Sequence, residues 1–184
     1  GKVNAALGAA EMIRRHHPDV IVSSGCAGGN GDDIHVQDVV VGAEVSYHDV
    51  YCGTSIDQTT VYGQVQGMPA RYKADGQLLA KACRVKCEGF SVHPGLIVTG
   101  DWFVDSKDKM RDIISHFPEA KAVDMESAAI AQTCYKYGVP FISFRVVSDI
   151  PLLDTDASMY HDFWNTIAEN SFQVTKTFVE SLYE

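Results

Sequence analysis

No run of apolar residues in this sequence is long enough to cross a bilayer, which takes roughly 20 in a helix, and no charged start followed by an apolar core marks a secretory signal. Positive charge is scarce as well. Fifteen Lys and Arg stand against 24 Asp and Glu, for a net charge of −9. A phosphate backbone or an anionic lipid surface is held by clustered cations, so nucleic-acid and membrane partners are not expected. Paired cysteines are missing too. Cys26, Cys52, Cys83, Cys87 and Cys134 are odd in number and share no pairing pattern, which fits reduced thiols in a cytoplasmic protein. Cys83 and Cys87 lie four apart on one face of an expected helix with no Cys or His set beside them. They are read as packing residues, and no metal or cofactor is expected. Linkers, repeats and low-complexity tracts are also absent. What is there, 184 residues with 46% hydrophobic and 21% charged, suffices for one domain, 1–184, with a sizeable core.

Apolar periodicity alternates between strand and helix along the chain. Val3, Ala6, Leu7, Ala10 and Ile13 recur at helical spacing over residues 1–17, and Pro18 stops that helix. Residues 19–24, 39–45 and 96–99 read as short strands, and 139–149 as a nearly continuous apolar strand. Helices are predicted over 74–89, capped by Asp75, over 106–116, capped by Ser106, over 126–137, closed by Gly138, and over 157–183. Residues 51–72 read as a long loop, functional or interfacial. His48, between Tyr47 and Asp49, reads as a satisfied structural residue. The alternation makes the class α/β with a mostly parallel or mixed sheet.

Three strand ends carry the chemistry. Gly25 to Gly31 is a glycine-rich turn, either a plain turn or a nest of backbone N–H groups for an anion or hydroxyl. Gly100-Asp101-Trp102-Phe103-Val104 sets aromatics just past a strand, where Trp102 serves a flat ring ligand or the core. The most informative stretch is Ala122-Val123-Asp124-Met125-Glu126-Ser127-Ala128-Ala129-Ile130, followed by Phe144-Arg145-Val146-Val147-Ser148-Asp149. Ligands of open α/β sheets bind outside the carboxyl ends of the strands. Glu126 and Asp149 are therefore placed to face one small molecule.

Taken in order, Ser24-Gly25-Cys26-Ala27-Gly28-Gly29, Thr99 to Val104, Val123 to Ala128 and Val147-Ser148-Asp149 resemble the nucleoside phosphorylase/hydrolase superfamily over essentially the whole chain. Within it, the likeness is to the 5′-methylthioadenosine/S-adenosylhomocysteine nucleosidases. The resemblance implies a three-layer phosphorylase/hydrolase-like fold, with a mixed central sheet flanked by helices. It also implies a homodimer that hydrolyses the N-glycosidic bond of an adenine nucleoside and releases adenine. Asp149 is then the acid at purine N7, which requires burial to raise its pKa, and Ser148 orients it. Glu126, ionised by the positive end of its helix, accepts from both ribose hydroxyls. By the same resemblance Met125 backs the ribose, Phe103 stacks on adenine, the Val104 backbone meets the base edge, and Gly28 lends an N–H. Arg145 approaches the water side of the sugar, Tyr160 and Phe163 close over the 5′ substituent, and residues 62–69 reach into a neighbour's pocket.

Water is the expected acceptor. Hexameric purine phosphorylases carry an Arg just upstream of the glycine turn, where this chain has Ser23-Ser24, and the Gln-x-Arg motif of uridine phosphorylases is missing. Arg145 is the arginine beside a site motif, and one Arg holds a phosphate dianion weakly. A purine phosphorylase or futalosine hydrolase relative, and a nucleoside-binding fragment without turnover, are the alternatives. Two departures from the family pattern matter. Cys26 stands where Ser is usual, and a thiol is a poorer partner for water. The family's opening strands, whose Gly-Ala-Met-Glu-type segment supplies the base that activates water, precede the point matched by Gly1. Asp124 stands where a Glu is common, in a position implied to point away from the water. The chain is thus expected to be N-terminally truncated and a poor enzyme, since loss of one positioned base costs about 10²–10⁴-fold.

Overall fold

In chain order the elements are α1 (Lys2–His16), β1 (Ile21–Gly29), β2 (Val39–Tyr47), β3 (Tyr72–Lys73), α2 (Gly76–Ala82), β4 (Val92–Thr99), α3 (Lys107–His116), β5 (Ala120–Asp124), α4 (Ser127–Tyr137), β6 (Phe141–Asp149), α5 (Ser158–Thr166) and α6 (Gln173–Ser181). The computed structural model describes all residues except 54, 56–57, 87–88, 90, 155–156, 167–171 and 184.

The strands form one mixed sheet in the order β3-β2-β4-β5-β1-β6. β2–β4, β4–β5 and β1–β6 are parallel, whereas β5–β1 is antiparallel. Residues 39–41 of β2 also pair with β6, and residues 44–45 with β3. The β2–β6 pairing closes the five long strands on themselves, so their backbone groups are satisfied without long open edges. Helices flank this sheet, as expected. The closure was not legible in the strand pattern, because periodicity reports faces and not partners.

Three apolar clusters fill the structure. One joins α1 and α4 to the sheet, a second joins α2, α5 and α6 to β2 and β6, and a third lies between α3 and strands β4 and β5. Among the described residues no helix is long and apolar enough to cross a membrane.

Several local expectations hold. Asp75 caps α2 by accepting from the Gln77 and Leu78 N–H groups, Ser106 caps α3 by accepting from Lys109 N–H, and Gly138 closes α4 at φ 67°. Others are corrected. Gly25 to Gly29 belongs to β1 rather than to a turn, held by parallel pairing with β6 and by antiparallel pairing of Gly28 with Val123. α2 ends at Ala82, where three-residue backbone bonds tighten the chain and bring Val85 against the core. Cys83 is exposed there instead of packed, and Cys87 lies outside the described residues.

The long C-terminal helix is two helices. A straight one would set Phe163 and Phe178 roughly 22 Å apart along its axis, yet both are fully buried in one cluster with Phe144. α1 buries Ala9 and Ile13 and leaves Val3 and Leu7 exposed, because its alanine face lies against the alanines of α4. His48, expected as a satisfied structural residue, is buried with its ring packed on Gly100. Its two ring nitrogens have no hydrogen-bond partner among the described residues, however, and burial lowers its pKa.

In the 51–72 segment, Tyr62 stacks on His116 at 3.8 Å and donates to the His48 carbonyl, and Met68 is buried. This part of the segment packs on its own chain, with Val61 left exposed.

Gly29 shows how tightly the end of β1 is packed. A Cβ there would lie 2.7 Å from Val147 and 2.8 Å from both Ile150 and Ile34. Gly29→Ala is expected to cost about 1–3 kcal/mol by overpacking, read as a lower urea midpoint at unchanged m-value.

Candidate functional site

The carboxyl ends of β1, β4, β5 and β6 open on one cavity of about 260 Å³, near the low end of small-molecule sites, which run roughly from 300 to 1,000 Å³. Its lining includes Cys26, Gly28, Trp102, Phe103, Val104, Asp124, Met125, Glu126, Ser148, Asp149, Tyr160 and Trp164. A larger hollow, about 570 Å³, lies beside Arg71, Tyr72 and Tyr135 at the amino end of β6. It gathers neither of the two candidate carboxylates, so volume is outweighed here by chemistry.

Asp149 reaches the cavity through a register shift. Ala27 pairs with Val147 and Gly28 with Asp149, so Ser148 is the extra residue on β6. Such a bulge re-aims the side chains beyond it. Ser148 Oγ donates to Asp149 Oδ1 at 2.6 Å. Asp149 is 7% exposed. Burial raises its pKa, the Ser148 hydrogen bond opposes that rise, and the Asp154 charge adds to it. Gly28 is required at this point, because a Cβ would meet Pro151 at 2.8 Å and Val123 at 3.1 Å.

Glu126 sits at the N-cap of α4 without a capping bond of its own. The helix begins one residue later than expected, and Asp124 does the capping by accepting from the Ser127 N–H at 3.1 Å. Glu126 Oε1 accepts from the Gly1 nitrogen at 2.6 Å. Asp124 also accepts from Thr99 Oγ1, from Ser127 Oγ and from Arg145 Nε, the last at 2.6 Å. Arg145 is 2% exposed, gives a further bond to Ser23 Oγ at 3.0 Å, and lies behind the cavity floor rather than in its lining. Its expected approach to a bound sugar is therefore corrected: the guanidinium is already engaged by Asp124. Gly25 leaves it room, since a Cβ there would sit 2.9 Å from the guanidinium.

Aromatic rings form the mouth. Phe103 meets Tyr160 edge-on at 5.1 Å, and Tyr160 meets Trp164 at 6.2 Å. Trp102 carries Lys109 over its ring at 5.0 Å and takes the rim position rather than the core. The Cys26 thiol is held neutral, its pKa pushed up to about 11 by burial.

A family model for the phosphorylase superfamily matches residues 1–180. The chain belongs to the phosphorylase superfamily. A 5′-methylthioadenosine/S-adenosylhomocysteine nucleosidase from an Exiguobacterium species is 42% identical, the match covering 99% of this chain and 77% of the relative. The crystal structure of the nucleosidase of that name from Neisseria meningitidis, in complex with methylthio-immucillin-A, superposes with a TM-score of 0.89 at 42% identity and covers 98% of this chain and 78% of that one. The Colwellia psychrerythraea nucleosidase, in complex with adenine, gives a TM-score of 0.89 at 34% identity over 98% of this chain and 74% of that one.

In this member of the superfamily the sequence-predicted Gly28, Phe103, Val104, Met125, Glu126, Ser148, Asp149 and Tyr160 all line the one cavity. Phe163 does not. It is fully buried beneath β6, and Trp164 takes the place expected of it. The signal for Trp164 was present, since Tyr160 and Trp164 are four apart and share a helix face.

Asp124→Asn would leave the buried Arg145 without its counter-charge and is expected to cost about 3–5 kcal/mol, measurable by chemical denaturation. Asp149→Asn is expected to act in the opposite sense. With its folded-state pKa raised, Asp149 contributes stability below the ordinary carboxylate value of about 4 and loses it as pH rises through the raised value. The Asp149→Asn protein should therefore melt above wild type at pH 8, with the gap closing toward pH 4 in calorimetric scans.

Proposed function

We propose that this chain hydrolyses the N-glycosidic bond of 5′-methylthioadenosine and S-adenosylhomocysteine, releasing adenine. The observation that carries the reading is the meeting of two carboxylates in unlike surroundings: Asp149, buried and biased toward its acid form, and Glu126, 39% exposed at a helix N-terminus. Glycosidic cleavage passes through an oxocarbenium-like sugar, and negative charge collects on the departing base. Protonated Asp149 delivers its proton to purine N7. Because Ser148 donates to Oδ1, Oδ2 is the oxygen that presents it. Glu126 accepts from the ribose hydroxyls beside Met125, Phe103 lies against the base with the Val104 backbone at its edge, and Gly28 offers its N–H. Tyr160, with Trp164, covers the 5′ substituent. Arg145 acts from behind through Asp124 as a positioning residue.

Relatives named as nucleosidases, and neighbours holding adenine or methylthio-immucillin-A, support this assignment. Water as acceptor is supported by the cations. Arg145 is engaged by Asp124 and Ser23, and Ser24 Oγ bonds to Thr175 at 3.2 Å. We also propose a cytoplasmic homodimer working in methionine salvage, on the strength of the family resemblance.

The test is adenine release from methylthioadenosine with and without phosphate. Release should be independent of phosphate and fall about 10²–10⁴-fold in Asp149→Asn. A requirement for phosphate would overturn hydrolysis in favour of phosphorolysis. Binding of adenine without release would overturn turnover itself.

A further inference from the structure

We propose that Asp154 is a positioning residue for this reaction, one that ties the seating of α5 over the cavity to Asp149 acting as an acid. The proposal rests on the nucleosidase reading and adds a residue outside both the motifs and the main cavity lining.

Asp154 is 7% exposed. Its carboxylate accepts from Ser158 Oγ at 3.0 Å through one oxygen and from the Met159 N–H at 2.9 Å through the other. That N–H belongs to the first turn of α5, where a helix leaves its donors without internal acceptors. The helix dipole favours a negative charge at the same place. Asp154 thus fastens the start of the helix whose Tyr160 leans on Phe103 and whose Trp164 shares the cavity lining.

The same residue faces the acid. Asp149, Asp154, Val104, Asp105, Pro151 and Ala157 line a small void beside the main cavity, with no room in it for a water. The Asp154 charge therefore acts on Asp149 across protein rather than solvent, and it adds to burial in disfavouring ionisation. Among the described residues the other groups around Asp149 are accounted for. From β1 comes the neutral Cys26 thiol, and from the β5–α4 junction come Asp124, matched by Arg145, and the partly exposed Glu126. The loop before α3 supplies Asp105, which is exposed and screened, and α5 supplies the Tyr160 hydroxyl. Among the described residues, Asp154 is the buried anion whose position depends on α5. With α5 seated, it caps the helix and holds the proton on Asp149. With α5 displaced, its charge meets water and the bias weakens. Covering the substrate and arming the acid become one event.

The experiment compares wild type, Asp154→Asn and Asp154→Ala in two readouts: pH profiles of kcat and KM for methylthioadenosine, and a carbon NMR titration of the Asp149 carboxyl in the ligand-free protein. Asn still accepts hydrogen bonds at a helix start but carries no charge. In Asp154→Asn the alkaline limb of kcat/KM and the Asp149 titration are expected to fall together, with KM near wild type. Asp154→Ala should add a several-fold rise in KM as α5 loses its cap. An unmoved Asp149 titration in Asp154→Asn would overturn the electrostatic link, and an unmoved KM in Asp154→Ala would overturn the link to α5. If wild type releases no adenine while the titration still moves, the nucleosidase reading fails and the coupling stands. If turnover is normal and the titration is fixed, the reverse holds.

Discussion

A carboxylate and a guanidinium withdrawn together from water, Asp124 and Arg145, are the constraint on which this structure depends. They meet at 2.6 Å with both side chains almost wholly hidden. Burying such a pair costs several kcal/mol per ion before attraction and hydrogen bonds offset it, so its net stabilising effect is small. Its effect on geometry is larger. Asp124 accepts from Thr99 at the end of β4, from Ser127 in the first turn of α4, and from Arg145 on β6. With Asp124 itself on β5, three of the four strands around the cavity are tied together. Arg145 reaches the fourth by donating to Ser23 on β1. One buried pair thereby fixes the relative placement of Phe103, Glu126, Asp149 and Gly28, which lie on different elements far apart in sequence.

Environment then separates the roles of three carboxylates within a single cavity. Asp124 is ion-paired and enclosed, Glu126 sits half in water at a helix start, and Asp149 is buried beside one serine donor. Identical chemistry in unlike surroundings is how one site obtains both an acid and an anion near neutral pH. Cys26 illustrates the complementary case. A thiol in the same cavity, with its pKa pushed to about 11, carries no charge and leaves the balance among the carboxylates undisturbed.

Much of this arrangement was legible in the sequence, and the parts that were not share a cause. Asp149 and Glu126 could be placed because each follows a strand whose apolar run is plain, and a strand's end is a local property. The caps at Asp75 and Ser106 and the glycine at 138 are local too. The glycines from 25 to 29 were misread because their strand character comes from partners on β6 and β5, more than 90 residues away. Local propensity in a segment with so little side chain cannot report such pairing. Arg145 was placed on the sugar because spacing gives proximity along a strand but not the partner that claims the side chain. The identity of that partner depended on Asp124, whose shorter side chain is met by donors from three elements. Phe163, which the family resemblance implies closes over the 5′ substituent, turns inward for a related reason: only the packing of α5 on β6 says which face of the helix meets the core.

The roof of the site is built on different terms from its floor. The floor is sheet, closed on itself and crossed by the Asp124–Arg145 pair. The roof is α5, anchored by Phe163 in the core and by the Asp154 carboxylate at its start. The chain enters that helix through Ala157 at φ 59°, a left-handed conformation that costs an L-residue roughly 1–2 kcal/mol. A helix entered through a disfavoured backbone conformation needs its cap to stay seated, and here the cap is also a buried charge that acts on Asp149. Elements that open and close over ligands come from the less stable parts of a structure. Setting the acid's electrostatic neighbour on such an element, rather than on the rigid floor, makes the acid strongest as a proton holder when the cavity is covered. A carboxylate fixed in the sheet would give the same bias whether or not substrate was enclosed. On the proposed coupling, the position of Asp154 between roof and floor is the feature that lets closure and protonation report on each other.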